Sequence, residues 1–338
     1  ACGHRCLVRD GRRGICQVRF NRGGELRMPW GYVAGLQVDP TEKKPFYHLL
    51  PGSSTLTFGM LGCNFHCSFC QNWISSQALR DADAEVAIGH LRRTSPEAIV
   101  EMALRLGASV VASSYNEPLI TAEWAGAIFE RASREGLRCG NENLEAIAFL
   151  RPHLTAFKID LKSMQDRRYR TRGGTLNRVL DSIRLAHERG LWVEIVTLIV
   201  PGFNDSTDEL MDLARFVASV SPEIPWHATA FHPDYRMLEA RPTSPADLVR
   251  AAEIGQEAGL HYVYAGNLPG RVRTYETTSC PSCGAALIER RGFSLLDDRL
   301  TETGACASCG RTIAGVWRNA SHPAVPASAA RRSDHDAT

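Results

Sequence analysis

The sequence lacks the features that would indicate a membrane protein, a secreted protein or a general nucleic-acid-binding protein. No apolar run approaches the roughly 18 residues that a membrane span requires. The opening segment, ACGHRCLVRD, has no apolar core of a secretion signal. Charge of either sign is nearly balanced, with 39 Lys and Arg against 37 Asp and Glu, a net charge of +2. We therefore expect a cytoplasmic protein that binds neither membranes nor nucleic acid.

Cysteine, by contrast, is abundant, since the 338 residues include 11. Disulfide frameworks are typical of short secreted chains, whereas this chain is long enough to bury a large core. The cysteines form three clusters and one isolated residue: Cys2, Cys6 and Cys16; Cys63, Cys67 and Cys70; Cys280, Cys283, Cys306 and Cys309; and Cys139. Tight clusters in a chain without a secretion signal indicate metal sites in a reducing cytosol.

Residues 51–275 repeat a short apolar segment followed by an amphipathic helical pattern. The helical patterns have apolar residues at i, i+3, i+4 and i+7, and N-cap residues such as Ser95, Ser206 and Ser244 precede them. The strand candidates are Ser54–Leu61, Ser109–Tyr115, Thr155–Lys162, Leu191–Val200, Trp226–Phe231 and His261–Tyr264. Strands that alternate with helices predict parallel βα units, and hence an α/β fold built as an open sheet or a barrel.

The stretches around this central region differ from it in composition. We expect a small cysteine-containing module at residues 1–50 and a second module, with four cysteines, at 276–318. Residues 319–338 contain little that could be buried, which predicts a disordered tail. Within the central region the alternation is interrupted at residues 137–155, where a strand can be no longer than about Leu137–Gly140.

The strongest chemical signal is the motif C-x3-C-x2-C at Cys63–Cys70, directly after an apolar strand candidate. Three thiolates within eight residues can meet at one metal centre, and soft thiolates select iron–sulfur clusters or zinc. A structural zinc ion needs four protein ligands, and no fourth cysteine lies nearby in sequence. A [4Fe–4S] cluster is favoured, and the alternatives are a zinc ion with a distant fourth ligand or buried thiols without a metal.

Charged residues alternate with apolar ones along the segment Phe157–Lys162. The period of two places Lys158, Asp160 and Lys162 on one face of a strand. On the inner face of a barrel, three charges need a polar ligand or one another. The segment is therefore a candidate part of a binding site, and the alternative is a solvated edge strand.

The segment Trp226–His232 also alternates. The same period predicts that His232 shares a face with Ala228 and Ala230, opposite His227. Small residues beside a histidine on the inner face would leave room for a ligand there. A histidine with a purely structural role is the alternative.

The C-terminal cysteines form two Cys-x-x-Cys-Gly turns separated by 22 residues. Each turn aims two thiolates at one point, so Cys280, Cys283, Cys306 and Cys309 together predict a tetrahedral site. Zinc in a zinc-ribbon-like module is the first choice for this site. An auxiliary iron–sulfur cluster or a rubredoxin-type iron is the alternative.

The N-terminal cysteines Cys2, Cys6 and Cys16 are too few for a complete four-ligand site. The chain begins with Ala rather than Met, so we expect residues upstream that supply the first ligand of this site. His4 is the alternative fourth ligand.

The spacing C-x3-C-x-aromatic-C after a first strand resembles the radical SAM superfamily. The resemblance implies a partial (β/α)6 TIM-like barrel, and a [4Fe–4S] cluster on Cys63, Cys67 and Cys70 that binds S-adenosylmethionine (SAM). It implies reductive cleavage of SAM to methionine and a 5′-deoxyadenosyl radical, with reduced flavodoxin or ferredoxin as electron donor. The implied SAM contacts are Phe69 at the adenine, Asn116 and Glu117 at the amino group, Asp160 and Lys162 at the carboxylate, and His232 at the ribose.

Longer stretches are similar to one subfamily, the radical SAM enzyme of the AmmeMemoRadiSam system, which is related to pyruvate formate-lyase activating enzymes. The matching stretches are both terminal cysteine motifs and residues 38–45, 70–73, 115–118 and 231–235. This similarity implies an oxidoreductase that acts with Memo-like or Ammecr-like proteins. The alternatives are an activase that takes a hydrogen atom from a glycyl-radical enzyme, and a non-catalytic zinc scaffold. At residues 139–143 the sequence departs from the subfamily, in which a longer strand ends in an Asn-Gly turn.

Overall fold

The computed structural model of the protein describes residues 4–141 and 147–318. The strands are β1 (Phe20–Arg22), β2 (Glu25–Arg27), β3 (Tyr32–Val33), β4 (Gly35–Pro40), β5 (Ser54–Gly59), β6 (Arg92–Arg93), β7 (Val110–Ser113), β8 (Arg138–Asn141), β9 (Ala156–Asp160), β10 (Trp192–Ile199), β11 (Trp226–Ala230), β12 (Val263–Gly266), β13 (Thr278–Ser279), β14 (Ala286–Arg291) and β15 (Ser294–Asp298). The helices are α1 (Trp73–Ser76), α2 (Pro96–Arg105), α3 (Ala122–Arg134), α4 (Ile147–Leu150), α5 (Asp166–Arg170), α6 (Leu176–Glu188), α7 (Thr207–Val220) and α8 (Pro245–Glu257), with 3-10 helices at Thr41–Lys43, Ala82–His90 and Pro118–Thr121. The predicted disordered tail and Cys2 lie outside the described residues.

An eight-stranded sheet forms the centre of the described chain, in the order β12-β11-β10-β9-β8-β7-β5-β4. The neighbouring pairs from β5 to β12 are parallel, and β4 pairs antiparallel with β5 at one edge. Parallel strands in sequence order, with helices between them, confirm the predicted partial barrel. All six strand candidates form, and β8 adds a further parallel strand in the interval where only a short one was expected.

Helix starts in the barrel follow the predicted N-cap residues. The Ser95 hydroxyl accepts a hydrogen bond from the Ala98 amide at 3.2 Å before α2. The Ser206 hydroxyl caps α7 in the same way, and Ser244 forms a capping box with Asp247 before α8. These caps fix where each helix begins, and therefore how long the loops at the carboxyl ends of the strands are.

The apolar core lies between the outer face of the sheet and the helices that cover it. Trp124, Phe129 and Trp226 are among its largest fully buried side chains. Every residue of β11 is buried, which is usual for a parallel strand with both faces covered. The inner face of the barrel is left to line a cavity.

Two segments that are distant in sequence close the amino-terminal end of the barrel. Residues 41–50, here called the floor segment, lie against the C-terminal three-stranded sheet of β13, β14 and β15. The Val316 amide donates to the His48 carbonyl at 2.7 Å, and the Leu50 amide donates to the Val316 carbonyl at 2.8 Å. The predicted division into modules stays a prediction, and the structure adds that β4 belongs to the barrel sheet.

No helix in the described part of the chain combines the length and apolar character that crossing a membrane requires.

Candidate metal and cofactor site

The loop that follows β5 carries Cys63, Cys67 and Cys70, and all three line a cavity of about 450 Å³. Gly62 opens the loop with φ of +88°, in the left-handed region that favours glycine. A Cβ at Gly62 would lie 2.3 Å from Cγ2 of Val18, so glycine also makes room for the N-terminal segment. The cavity volume falls in the range of roughly 300–1,000 Å³ that is usual for small-molecule sites.

The thiols in this loop are held in an environment that favours a bound cation. Burial raises the pKa of Cys63, and it raises the pKa of Cys67 to about 11, although Lys162 and Arg172 act in the opposite direction on Cys67. The Phe65 amide donates to the Cys63 sulfur at 3.4 Å. Because burial disfavours free thiolates, a metal is what would stabilise them, and the donor set fits a soft metal centre.

Sulfur spacing distinguishes this loop from a mononuclear site. Within residues 4–141 and 147–318, the group whose ligand atoms all lie within 4.8 Å of one another is the C-terminal set of four cysteines, and the loop cysteines form no such group. One zinc ion must be reached by every sulfur at about 2.3 Å. A cluster offers a separate iron to each thiolate and tolerates wider spacing, so the loop fits an iron–sulfur cluster better than a zinc ion.

Asp160 sits between two lysines at the carboxyl end of β9. Lys158 Nζ lies 3.0 Å from Oδ1 of Asp160, and Lys162 Nζ lies 2.8 Å from Oδ2. Burial alone raises the pKa of Asp160, but the two ammonium groups outweigh burial and lower it, so the carboxylate stays ionised. All three residues line the cavity, as predicted for this face, while Phe157 packs in the apolar core. The group faces the cysteine loop.

The loop after β7 contacts the cysteine loop through Asn116. Its side-chain amide donates to the Met60 carbonyl at 2.7 Å and to the Gly62 carbonyl at 2.6 Å. The preceding residue, Tyr115, has φ of 75°, an uncommon value for a bulky residue. Glu117 is buried and accepts a hydrogen bond from the Leu119 amide at 3.3 Å. Asn116 and Glu117 both line the cavity, so the structure brings them together with the three cysteines.

Phe69 lies in the wall of the same cavity and is buried. Its ring centre is 5.7 Å from that of Phe203, 5.2 Å from the Arg172 guanidinium carbon and 6.0 Å from Lys162 Nζ. A ring fixed by an aromatic neighbour and two cations offers a flat apolar surface to a bound ligand.

The prediction of which β11 residues face the cavity is wrong. His227 and Thr229 line the cavity, whereas Ala228 and Ala230 pack in the apolar core. His232 is exposed, and Nδ1 of its ring lies 3.3 Å from the Pro233 carbonyl. Because every residue of β11 is buried, the sequence pattern did not distinguish the inner face from the outer face. His232 is not among the cavity-lining residues of the described chain. Its predicted contact with SAM stays a prediction.

Glu194 and His227 form a buried pair that the sequence reasoning missed. Nε2 of His227 lies 2.7 Å from Oε2 of Glu194, and neither side chain is appreciably exposed. Burial alone raises the pKa of Glu194, but the hydrogen bonds from His227 and Trp192, together with the nearby His227 and His48 rings, outweigh burial and lower it. The signal was available, since Glu194 is the lone charged residue in the mostly apolar strand β10.

Comparison with known proteins shows the family to which the chain belongs. A family model described as the radical SAM superfamily matches residues 58–217, which span the cysteine loop and the strands to β10. An uncharacterized protein of Methanocaldococcus jannaschii is 36% identical over 318 residues, covering 92% of this chain and 93% of that protein. The chain belongs to the radical SAM superfamily. Membership implies the use of SAM and an iron–sulfur cluster.

Two other similar proteins cover less of the chain. An isethionate sulfite-lyase activating enzyme of Desulfovibrio desulfuricans is 26% identical over 179 residues, which cover 49% of this chain and 56% of that enzyme. A solved domain of pyruvate-formate lyase-activating enzyme from Bacteroides vulgatus is 21% identical, with a TM-score of 0.42, and covers 46% of this chain and 98% of that domain.

In this radical SAM protein the N-terminal segment packs directly on the cysteine loop. Cys16 is buried with Val18 against Ile120, and its sulfur accepts a hydrogen bond from the Arg19 amide at 3.4 Å. Cys6 is exposed. Since Cys2 lies outside the described residues, the N-terminal metal site stays a prediction.

The four C-terminal cysteines meet as predicted. The sulfurs of Cys280 and Cys309 are 3.6 Å apart, and those of Cys283 and Cys306 are 3.7 Å apart. Sulfurs at these distances fit tetrahedral coordination of one ion, so the radical SAM barrel is joined to a second metal-binding cysteine cluster.

Proposed function

We propose that the protein is an enzyme that reductively cleaves SAM at a [4Fe–4S] cluster held by Cys63, Cys67 and Cys70. The observation that carries the proposal is the meeting of these cysteines with the Lys158–Asp160–Lys162 group in one cavity of a radical SAM barrel. When bound and reduced by flavodoxin or ferredoxin, the cluster would supply the electron that splits SAM into methionine and a 5′-deoxyadenosyl radical.

The roles of the surrounding residues follow from their chemistry. The Lys162 ammonium group beside Asp160 suits the SAM carboxylate, and the flat ring of Phe69 suits the adenine. The Asn116 and Glu117 loop suits the amino group, because Glu117 offers carboxylate oxygens beside a buried cavity. His232 would reach the ribose only if the exposed loop after β11 folds over the bound ligand.

We further propose that the enzyme acts in a cytoplasmic AmmeMemoRadiSam-type system with Memo-like or Ammecr-like partners, and that the four C-terminal cysteines bind zinc. The supporting feature is that the subfamily stretches are structural parts of this fold. Residues 38–45 build the edge strand and the start of the floor segment, and residues 231–235 carry Asp234, whose Oδ1 accepts from the indole of Trp73 at 3.2 Å.

A second candidate is activation of a glycyl-radical enzyme. The similarity to an isethionate sulfite-lyase activating enzyme favours it, although the match covers 56% of that enzyme. The two candidates differ in the source of the hydrogen atom that ends in 5′-deoxyadenosine. Deuterium carried from a labelled glycyl-radical partner would favour the activase, and deuterium carried from a small molecule would favour the first candidate.

The decisive experiment is anaerobic reconstitution with iron and sulfide, followed by dithionite and SAM. We expect a [4Fe–4S] absorption spectrum and the formation of 5′-deoxyadenosine. Cys67→Ala should abolish both, because it removes one ligand of the cluster. Cys139→Ala is the matched control, since Cys139 is also buried but lies in β8, where its sulfur donates to the Phe129 carbonyl at 3.7 Å.

Failure of the wild-type protein to form either the cluster or 5′-deoxyadenosine would overturn the enzymatic proposal. That result, together with one tightly bound zinc ion per chain, would favour a non-catalytic zinc scaffold that keeps the fold. Equal losses in Cys67→Ala and Cys139→Ala would show that the effect of Cys67 is on folding.

A further inference from the structure

Two guanidinium groups of the described chain lie against the cysteine loop without lining the cavity. Nη1 of Arg80 donates to the Phe65 carbonyl at 3.3 Å, between the first and second cysteines of the loop. The guanidinium carbon of Arg172 lies 5.2 Å from the ring centre of Phe69, between the second and third cysteines. Each half of the loop therefore has one cation beside it.

The turn after α5 holds Arg172 in this position. The His66 amide of the cysteine loop donates to the Arg172 carbonyl at 2.9 Å. A Cβ at Gly174 would lie 2.4 Å from Cε1 of Phe65, so glycine lets the turn approach the loop closely. The Phe203 ring lies 4.1 Å from the guanidinium carbon and supports it from the other direction. The position of Arg172 is therefore tied to that of the cysteine loop.

Among the described residues, no Asp or Glu oxygen lies within 4.0 Å of the guanidinium nitrogens of Arg80 or Arg172. The neighbouring Arg168 differs, since it pairs with Glu209 at 2.7 Å. Nε and Nη2 of Arg80 and Nε of Arg172 are buried and have no hydrogen-bond partner in the described chain. Buried cationic donors are costly without an anion, so both residues have unused capacity to stabilise negative charge.

Both arginines interact electrostatically with the thiols of the loop. Arg172 lowers the pKa of Cys67, against the larger effect of burial. Burial lowers the pKa of Arg80, and the sulfur of Cys63 acts in the opposite direction. Glu117 disfavours a thiolate at Cys63, but it lines the cavity, where it is available to a ligand. The two arginines therefore act on the thiolates from positions that a ligand in the cavity does not occupy.

We propose that Arg80 and Arg172 raise the reduction potential of the cluster on the cysteine loop, which makes its reduction by the electron donor easier. The inference rests on the proposed function for the presence of the cluster. Reduction moves one electron from flavodoxin or ferredoxin to the cluster, with no bond broken and no proton transferred. Three thiolates make the centre anionic, and the added electron makes it more so. A fixed cation nearby therefore stabilises the reduced form more than the oxidised form.

A redox titration of the reconstituted protein without SAM, followed by electron paramagnetic resonance, measures this potential independently of turnover. We expect Arg80→Gln and Arg172→Gln each to lower the equilibrium constant for reduction about tenfold, which is about 59 mV for a one-electron couple. Arg80→Lys and Arg172→Lys keep the charge and should recover most of the potential. Arg273→Gln is the matched control with an unchanged potential, because it removes the same charge at an exposed pair with Glu253.

Unchanged potentials in both Gln variants, or equal losses in the Gln and Lys variants of each position, would overturn the proposal. Iron analysis and circular dichroism accompany each titration. If one Gln variant is misfolded, the variant at the other position decides, and misfolding of both would show that the arginines serve the fold instead. A wild-type cluster without 5′-deoxyadenosine formation would reject the proposed function while the potentials still decide this inference. A wild-type protein that forms no cluster would overturn both.

Discussion

At the scale of single residues, Glu194 organises the floor of the cavity. Its two carboxylate oxygens accept from the Tyr47 amide at 3.0 Å, the His48 amide at 2.9 Å, the Trp192 indole at 2.9 Å and the His227 ring at 2.7 Å. A buried carboxylate is costly unless it is fully hydrogen-bonded, and here four donors come from three separate segments. The carboxylate therefore fixes the floor segment against β10 and β11.

His48, beside Glu194, should make stability depend on pH. Burial lowers its pKa to about 4, although Glu194 acts in the opposite direction. The unfolded chain takes up a proton as the pH falls through about 6.5, whereas the folded protein does not until about 4. The free energy of unfolding should therefore fall by about 2–3 kcal/mol between pH 7.5 and pH 4.5 from this residue.

Urea unfolding at the two pH values measures this effect. His48→Gln should lose this part of the pH dependence, whereas the exposed control His90→Gln should retain it. Equal pH dependence in wild type and His48→Gln would show that His48 is protonated in the folded protein.

Residues of this kind mark the limit of prediction from sequence. The cysteine loop was predicted because its ligands lie within eight residues, so local spacing carries the signal. Glu194 and His48 act through contacts between segments that are distant in sequence, and a single sequence does not show which segments meet. A charged residue inside an apolar strand, such as Glu194, signals a buried partner without naming it.

At the scale of elements, Gly59 at the end of β5 allows the loop after β7 to pack closely against it. A Cβ at this position would lie 2.6 Å from the Ser114 carbonyl oxygen and 2.8 Å from Cδ2 of Tyr115. Gly59→Ala should push the two loops apart, which weakens the Asn116 hydrogen bonds to the cysteine loop. We expect the free energy of unfolding to fall by about 1–3 kcal/mol, and 5′-deoxyadenosine formation to fall by more than the stability loss explains.

Gly89→Ala is the control for this substitution. Nothing lies within 4 Å of a Cβ at Gly89, so its unfolding free energy should change by less than about 0.5 kcal/mol. Urea unfolding and product analysis on both variants check the prediction. Wild-type activity in Gly59→Ala would mean that the loops shift without consequence for the site.

The elements of the barrel were predicted well where a local pattern determines them. Caps such as Ser95 and Ser244 and the parallel strands follow from composition and periodicity. The phase of β11 was not predictable, because both of its faces are buried and period two then carries no inward or outward signal. Strand β4 was missed because its partner choice depends on the edge that β5 leaves open.

At the scale of the whole molecule, the C-terminal metal should stabilise the barrel as well as its own module. The module contacts the floor segment through the Arg290 guanidinium, which donates to the Tyr47 carbonyl at 2.7 Å and lies 3.5 Å from Glu42. Loss of the metal should loosen the cysteine turns and with them the sheet that carries Arg290. We expect Cys283→Ala to lose the bound metal and to lower the Tm of the whole protein by at least about 5 °C.

Differential scanning calorimetry with metal analysis checks this expectation. Ser308→Ala, an exposed change between two of the cysteines, should keep both the metal and the Tm. A separate low-temperature transition in Cys283→Ala, with the main transition unmoved, would show that the module and barrel unfold independently.

Val316 is hydrogen-bonded to His48 and Leu50 of the floor segment. This contact determines the order in which the two ends of the cavity are completed during synthesis. The ribosome releases the floor segment first, the cysteine loop and most barrel strands next, and the segment around Val316 that covers the floor last. For most of translation the barrel therefore has three thiols at one end and an uncovered floor at the other. Insertion of the iron–sulfur cluster is possible before the floor is covered, whereas the floor end of the cavity acquires its final shape only after residue 316 has emerged.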